Sequence, residues 1–368
     1  MKEGKSMYPK IIINLKKLEK NLDAVAKITK DDGNCSLMIV TKGLCADLNM
    51  VNMVAKHPKV DYIADSRIAN IKSYSNLVRK ENKMTVLLRI PMHCEIKEVI
   101  EHVDLSFNSE ISTIRLLNEE AKKANIVHKV LLMIDLGDLR EGMFFEDEEY
   151  ILNSIEEILS MENIELYGLG VNLTCYGAII PKNNNLSQLV NLAKNVESKF
   201  GIKLSMISGG NSSSIYLIPK GELPKGINNL RLGEAFLLGN DTAYETQLPG
   251  TTEETLILET QIVELKEKPS LPIGEVGVDA FGQKPYYEDK GIMMRAIVAL
   301  GKQDTDLDSM TPLDPDIEIM GGSSDHTILD VTNCSKEYNV GDIISFKLGY
   351  GGMLKNITSK YVEREYIK

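Results

Sequence analysis

The sequence predicts an α/β protein: a (β/α)8 TIM-type barrel followed by a C-terminal all-β domain. Two observations carry that expectation. Eight short apolar runs between residues 37 and 231 alternate with stretches of helical periodicity, which is the strand count of a closed parallel barrel. Past about Leu248 the texture changes to alternating, β-rich segments punctuated by proline and glycine. A doubly wound open sheet does not need eight strands, and no GxGxxG follows the first run.

The elements follow in order. A strand is expected at Ile11–Asn14, with residues 8–13 joining the β domain. Leu15, Leu18, Leu22, Val25 and Ile28 then give Leu15–Lys30 helical spacing. The barrel runs are Leu37–Thr41, Val60–Ala64, Met84–Ile90, Val103–Phe107, Lys129–Asp135, Ile164–Val171, Lys203–Ile207 and Ile227–Arg231. Helices are read between them, among others at Ser109–Asn125, Glu148–Met161 and Ser187–Phe200. The barrel is placed at 14–246 and the β domain at 247–368, with strands at Thr255–Val263 and Gly291–Leu300.

Composition narrows the function classes. At 368 residues the chain is long for one core. No apolar run approaches a membrane span and the first residues lack the core of a signal peptide, so the cytoplasm is expected. Five scattered cysteines without a CxxC pair argue against disulfides and a structural zinc site, and five histidines show no HxH or HExxH spacing; no metal is expected. A net charge of −11 argues against nucleic acid or an anionic membrane as partner, and is compatible with a cationic small-molecule substrate.

The chemistry centres on Ser36–Asp47, SLMIVTKGLCAD, where an apolar strand delivers Lys42 to the mouth of the sheet. Such barrels place their reactions at that end. An isolated lysine past a strand is ordinarily a solvated one, so the other strand ends have to decide. The fifth run closes in MIDLGDLREGM, which gathers Asp135, Asp138, Arg140 and Glu141. The sixth ends at Asn172, with Thr174 and Tyr176 behind it. The seventh ends in SGGNSSS, Ser208–Ser214, whose glycines and hydroxyls suit an anion such as phosphate. The eighth, NNLRLGEAFLLG, adds Arg231 and Gly233, and strands seven and eight are where this barrel recurrently binds phosphate. A reactive lysine opposite a phosphate cup points to pyridoxal 5'-phosphate held as a Schiff base.

The order IVTKG, DLGDLREGM, SGGNSSS, LRLGEA and then a β domain resembles the fold-type III alanine racemase family over about residues 8–365, with details similar to its ornithine racemase branch. The resemblance implies that Lys42 carries the cofactor and moves protons on one face of the substrate. It implies that Arg140 orients the lysine or substrate. Asn172 falls where alanine racemases carry a histidine under the cofactor ring. Ser212 and Ser213 match the phosphate-binding serine, with backbone donors at Gly233 and Glu234, and Tyr361 matches a phosphate-binding tyrosine. Arg231 matches the arginine bonded to the ring nitrogen. Since arginine does not readily yield its proton, it would keep that nitrogen unprotonated and so favour racemisation over transamination. Ser324 and Asp325 match a loop reaching the partner's site, so a homodimer with shared active sites is expected.

The sequence also departs from the family. Ala46 stands where alanine racemases have a phosphate-contacting tyrosine, and EVGVDAFGQKP carries Val278 or Asp279 in place of the second catalytic tyrosine. Racemisation needs proton donors on both faces of Cα. Asp279 is the choice for the second, with Tyr286, Tyr287, Ser324 and His326 as alternatives; Asp279 or Asp325 could instead pair with the side-chain ammonium of a basic substrate. The expected activity is interconversion of L- and D-ornithine. Lysine or alanine racemisation, a non-catalytic carrier of the cofactor, and a decarboxylase are the competing readings. The β domain counts against the carrier, and the setting of Cys334 in DVTNCSK counts against the decarboxylase.

Overall fold

The computed structural model describes residues 7–368. The chain divides into two compact units: Leu18–Thr252, and the N-terminal stretch through Lys17 together with Glu253–Lys368. The boundary thus falls a few residues beyond the position expected from composition, since the turns after Leu237 close on themselves through Gly239, Leu248 and Thr251 before the next strand begins.

A first strand, β1 (Lys10–Asn14), leads into α1 (Leu15–Ala26). The helical pattern continues as predicted toward Lys30, but Lys27–Asp32 widen into a π-helical turn that Gly33 N–H closes on the Ile28 carbonyl at 2.9 Å. The barrel unit then runs β2 (Ser36–Val40), α2 (Leu48–Lys56), β3 (Tyr62–Asp65), α3 (Ile68–Lys80), β4 (Met84–Leu87), α4 (Ile96–His102), β5 (Leu105–Asn108), α5 (Ile111–Ala124), β6 (His128–Asp135), the two-residue β7 (Met143–Phe144), α6 (Glu148–Leu159), β8 (Ile164–Val171), α7 (Asn183–Phe200), β9 (Met206–Ser208), β10 (Asn229–Leu232) and the short α8 (Glu234–Leu237). All eight runs became strands of one parallel sheet, ordered β5-β4-β3-β2-β10-β9-β8-β6 and closed by β5 pairing with β6. β7 adds one short rung on β6.

Both faces of these strands are buried, which is why they read as unbroken apolar runs. Met38, Val40, Ala64, Val86, Leu105, Phe107, Leu131, Met133 and Met206 pack together as one cluster. The alternate positions Leu37, Ile39, Ile63 and Leu132 are equally buried.

In the second unit β1 pairs antiparallel with β11 (Leu256–Pro269) and parallel with β17 (Glu363–Ile367). The sheet continues through β12 (Ile292–Val298), β13 (Met310–Pro312), β14 (Glu318–Gly322), β15 (Thr327–Asp330) and β16 (Ile343–Leu348), in the order β13-β16-β11-β12-β15-β14. One helix, α9 (Tyr350–Thr358), precedes β17. Among the described residues no helix is long and apolar enough to cross a membrane.

Candidate active site

Lys42 opens a 3-10 turn, Lys42–Leu44, immediately after β2, and its side chain is exposed. The residue before it fixes that position. Thr41 Oγ1 is buried within hydrogen-bond reach of the Ala64 carbonyl (3.1 Å), Asp65 Oδ2 (3.0 Å) and the Tyr74 hydroxyl (3.1 Å). Asp65 is 0% exposed and accepts from the Arg67 N–H at 2.9 Å and Asn70 Nδ2 at 3.1 Å. Burial pushes its carboxyl up, against these hydrogen bonds. On the far side, Cys45 and Ala46 take left-handed backbone angles, and Asp47 caps α2 by accepting from the N–H groups of Asn49 and Met50, both at 3.1 Å. The lysine therefore stands between two anchored residues, one in the core and one at a helix N-terminus.

The loop after β6 holds two carboxylates with separate tasks. Asp135 Oδ1 accepts from the N–H groups of Gly137 (2.9 Å) and Leu139 (3.1 Å), closing its own turn. Asp138 is 1% exposed and reaches the loop after β8. It accepts from the N–H groups of Thr174 (2.9 Å), Tyr176 (3.1 Å), Gly177 (3.1 Å) and Ile179 (3.4 Å). This buried carboxylate binds the segment bearing Arg140 to the segment that follows Asn172. Arg140 itself is half-exposed and pairs through Nε and Nη2 with both carboxylate oxygens of Glu141.

Arg231 rises from β10 into the barrel and is 4% exposed. Its Nη1 donates to Ser208 Oγ at 2.8 Å, and its Nη2 donates to the Val171 carbonyl at 2.7 Å and Asn172 Oδ1 at 3.5 Å. The guanidinium carbon lies 5.3 Å from the centre of the Phe107 ring. A salt bridge at the strand end would be the ordinary use of such an arginine, yet among the described residues none of its direct partners is a carboxylate. Asn211 Nδ2 donates to Asn172 Oδ1 (3.0 Å), the Leu173 carbonyl (2.9 Å) and Cys175 Sγ (3.3 Å). Asn172 is thereby oriented with its oxygen satisfied, while its buried Nδ2 has no partner.

The Ser208–Ser214 loop turns tightly where its glycines lie. A Cβ at Gly209 would stand 2.5 Å from Ile227 Cγ2, and Gly210 has φ +114°, which other residues rarely adopt. Ser212 Oγ accepts from the N–H groups of Gly233 (3.3 Å) and Ala235 (3.1 Å), so hydroxyl and backbone donors converge on one spot. Ser213 Oγ is buried without a partner. The loop continues into a 3-10 turn, Ile215–Leu217.

Glu234, at the start of α8, feels this environment. Burial, reinforced by the Glu245 carboxylate and opposed by Lys42, pushes its carboxyl up to about 7. The folded chain then holds this proton more tightly than the unfolded chain, so stability declines as pH rises from the ordinary carboxylate range to about 7 and is level beyond it. Glu234→Gln removes the group. The melting temperature of the variant minus that of the wild type should grow between pH 5 and 7.5 and then stay constant; a constant difference throughout contradicts the assignment.

The structure thus brings Lys42, Arg140, Asn172, Ser212, Ser213, Arg231, Gly233 and Glu234 to one end of the barrel unit. Asp279, Ser324, Asp325 and Tyr361 belong to the β unit. Asp279 accepts from the N–H groups of Phe281 (2.9 Å) and Gln283 (2.8 Å) and lies 3.8 Å from Lys302 Nζ. Those two N–H groups, with the lysine, hold its carboxyl below the usual range. Ser324 Oγ donates to Asp325 Oδ2 at 2.7 Å, and Tyr361 is exposed. Sequence reasoning missed Ser208 and Asn211 as ligands of Arg231 and Asn172, and Ala235 as a donor. The first two stand inside the SGGNSSS motif, but only barrel closure shows which strands they face.

The family described as "Alanine racemase, N-terminal domain" matches residues 13–241. The ornithine racemase of Acetoanaerobium sticklandii is 53% identical over 361 residues, covering 98% of this chain and 100% of that protein. The lysine racemase of Thermotoga maritima is 35% identical over 360 residues, covering 98% and 99%. Among solved structures, an alanine racemase from Bartonella henselae with covalently bound pyridoxal phosphate superimposes with a TM-score of 0.73 at 16% identity, covering 98% of this chain and all of that one; that likeness speaks for the fold. The chain belongs to the alanine racemase family of amino-acid racemases.

Proposed function

We propose that the protein interconverts L- and D-ornithine by removing and returning the proton on Cα, with pyridoxal phosphate bound at Lys42. The observation that carries the substrate is the 53% identity, end to end, with an ornithine racemase. The barrel mouth supports the cofactor. A buried guanidinium without a directly bonded carboxylate, the partnerless Asn172 Nδ2 and Ser213 Oγ, and the donors around Ser212 form a donor set that suits an anionic, ring-bearing group.

Pyridoxal phosphate, when bound, draws electrons from the substrate's Cα and so makes its proton removable. Ser212, Ser213 and the N–H groups of Gly233, Glu234 and Ala235 would hold the phosphate, Arg231 and Asn172 the ring, and Lys42 the aldehyde carbon. Lys42 Nζ also takes and returns the proton on one face, its base anchored by Thr41 and Asp47. Arg140 orients the substrate at the mouth. A second group must serve the other face, and the reading places it on the β unit of a partner copy, in a cytoplasmic homodimer with shared sites. Asp279 is held below the ordinary carboxylate range, so at neutral pH it is better suited to pair with the substrate's side-chain ammonium, alone or with Asp325, than to give a proton. The candidates for the second proton donor are then Tyr286, Tyr287, Ser324 and His326.

Lysine is the second reading, favoured by the 35% identity to a lysine racemase. Comparing kcat/KM for L-ornithine, L-lysine and L-alanine decides. The proposal expects ornithine first and alanine far behind; alanine turned over faster than ornithine overturns it.

A further inference from the structure

Asn172 keeps one unmet bond in a buried place. Its oxygen accepts from Asn211 Nδ2 at 3.0 Å, while its own Nδ2 is buried with no partner. A buried amide left unpaired is costly unless a bound group meets it. The chain that follows cannot hold it there by regular structure: residues 173–180 form neither helix nor strand, and Cys175–Ala178 are exposed. Two of these residues are strained as well. Thr174 has φ +76° and Ala178 φ +53°, left-handed angles that a β-branched threonine in particular rarely takes.

One side chain supplies what the loop lacks. Asp138, 1% exposed, accepts from Thr174, Gly177 and Ile179 N–H on Oδ1, at 2.9, 3.1 and 3.4 Å, and from Tyr176 N–H on Oδ2 at 3.1 Å. Backbone N–H bonds to a carboxylate are of the stronger kind. Both left-handed residues lie within the span that this carboxylate bridges. The loop also rests directly on the Asp138 backbone, since a Cβ at Gly177 would stand 2.8 Å from its carbonyl oxygen. Asn211 grips the near end of the loop by its acceptors, and Asp138 grips the far end by its donors.

We propose that Asp138 is a positioning residue: by holding this strained loop it fixes the unpaired Asn172 amide where the cofactor ring would lie. The proposal rests on the cofactor reading of the same site. Thr174 is two residues from Asn172, so a loop that relaxes from its left-handed turn takes the Asn172 backbone with it.

The test uses Asp138→Ala, Asp138→Asn, Asn172→Ala and the double variant Asp138→Ala/Asn172→Ala in the full-length chain. First, hydrogen exchange is followed without added cofactor. The Thr174, Tyr176, Gly177 and Ile179 amides should exchange at least about tenfold faster in Asp138→Ala, while β6 and β8 keep their wild-type rates. Asp138→Asn, whose one oxygen can still serve the three donors on Oδ1, should fall between. Second, pyridoxal phosphate is titrated and followed by absorbance. Its dissociation constant should rise about tenfold in Asp138→Ala, and that factor should shrink to about threefold or less once Asn172 is alanine, because the loop then has no amide left to place. An aspartate that only supports folding would cost the same factor in both backgrounds. Unchanged exchange, or equal factors, overturns the proposal. Should Asp138→Ala not fold, Gly177→Ala decides, because its Cβ lifts the loop while sparing the carboxylate: it must weaken cofactor binding more with Asn172 present than without, and equal weakening overturns the proposal. Wild-type protein that takes up no pyridoxal phosphate refutes the cofactor reading and the proposal with it; uptake with equal factors refutes the proposal alone.

Discussion

Lys42→Ala is expected to abolish racemisation, lowering kcat by at least ~10²–10⁴-fold, and to remove the visible absorbance of the bound cofactor. The end of β2 is fixed in the core through Thr41, Asp65 and Tyr74, and Asp47 holds the following helix, so Lys42 is presented from an anchored base. Chiral chromatography of ornithine and an absorption spectrum of the purified variant provide the two readings. Retention of the absorbance band together with full activity would remove Lys42 from the site.

Arg231→Gln is the other large effect. Glutamine cannot span Ser208 Oγ and the Val171 carbonyl as the guanidinium does, and it carries no charge toward the bound ring. Racemisation should fall by about 10²-fold, the scale of losing one well-placed electrostatic partner. The partition of turnovers should shift as well: under the proposed function Arg231 would hold the ring and keep its nitrogen unprotonated, and glutamine would relax that restraint. Keto-acid formation per racemisation event is expected to be negligible in the wild type and to become measurable in the variant. Unchanged rate and partition would mean that Arg231 is a structural buried arginine with no part in reaction type.

The fold was legible because closed parallel sheets announce themselves. Strands buried on both faces leave runs such as LMIV and VLLMID with no polar alternation, and each of the eight became a barrel strand. Ends were less legible. Met84–Ile90 stops at Leu87, where the ladder to β5 ends, and β11 continues past Val263 to Pro269 because its outer half pairs with β12 while lying largely exposed. The site motifs could be read singly, each as residues past a strand end. Their joining could not. Asp138 clamping the loop after Asn172, Asn211 bridging three groups of that loop, and Thr41 meeting Asp65 and Tyr74 all join residues more than twenty positions apart, set by barrel register rather than local spacing.

The proposed activity is reversible proton exchange at the Cα of ornithine. Wild-type protein with pyridoxal phosphate, incubated in D2O with either pure L-ornithine or pure D-ornithine, measures this directly. Both reactions should approach equal amounts of the two enantiomers, with deuterium appearing at Cα of the product formed. Conversion of neither enantiomer, or conversion without deuterium uptake, would contradict it.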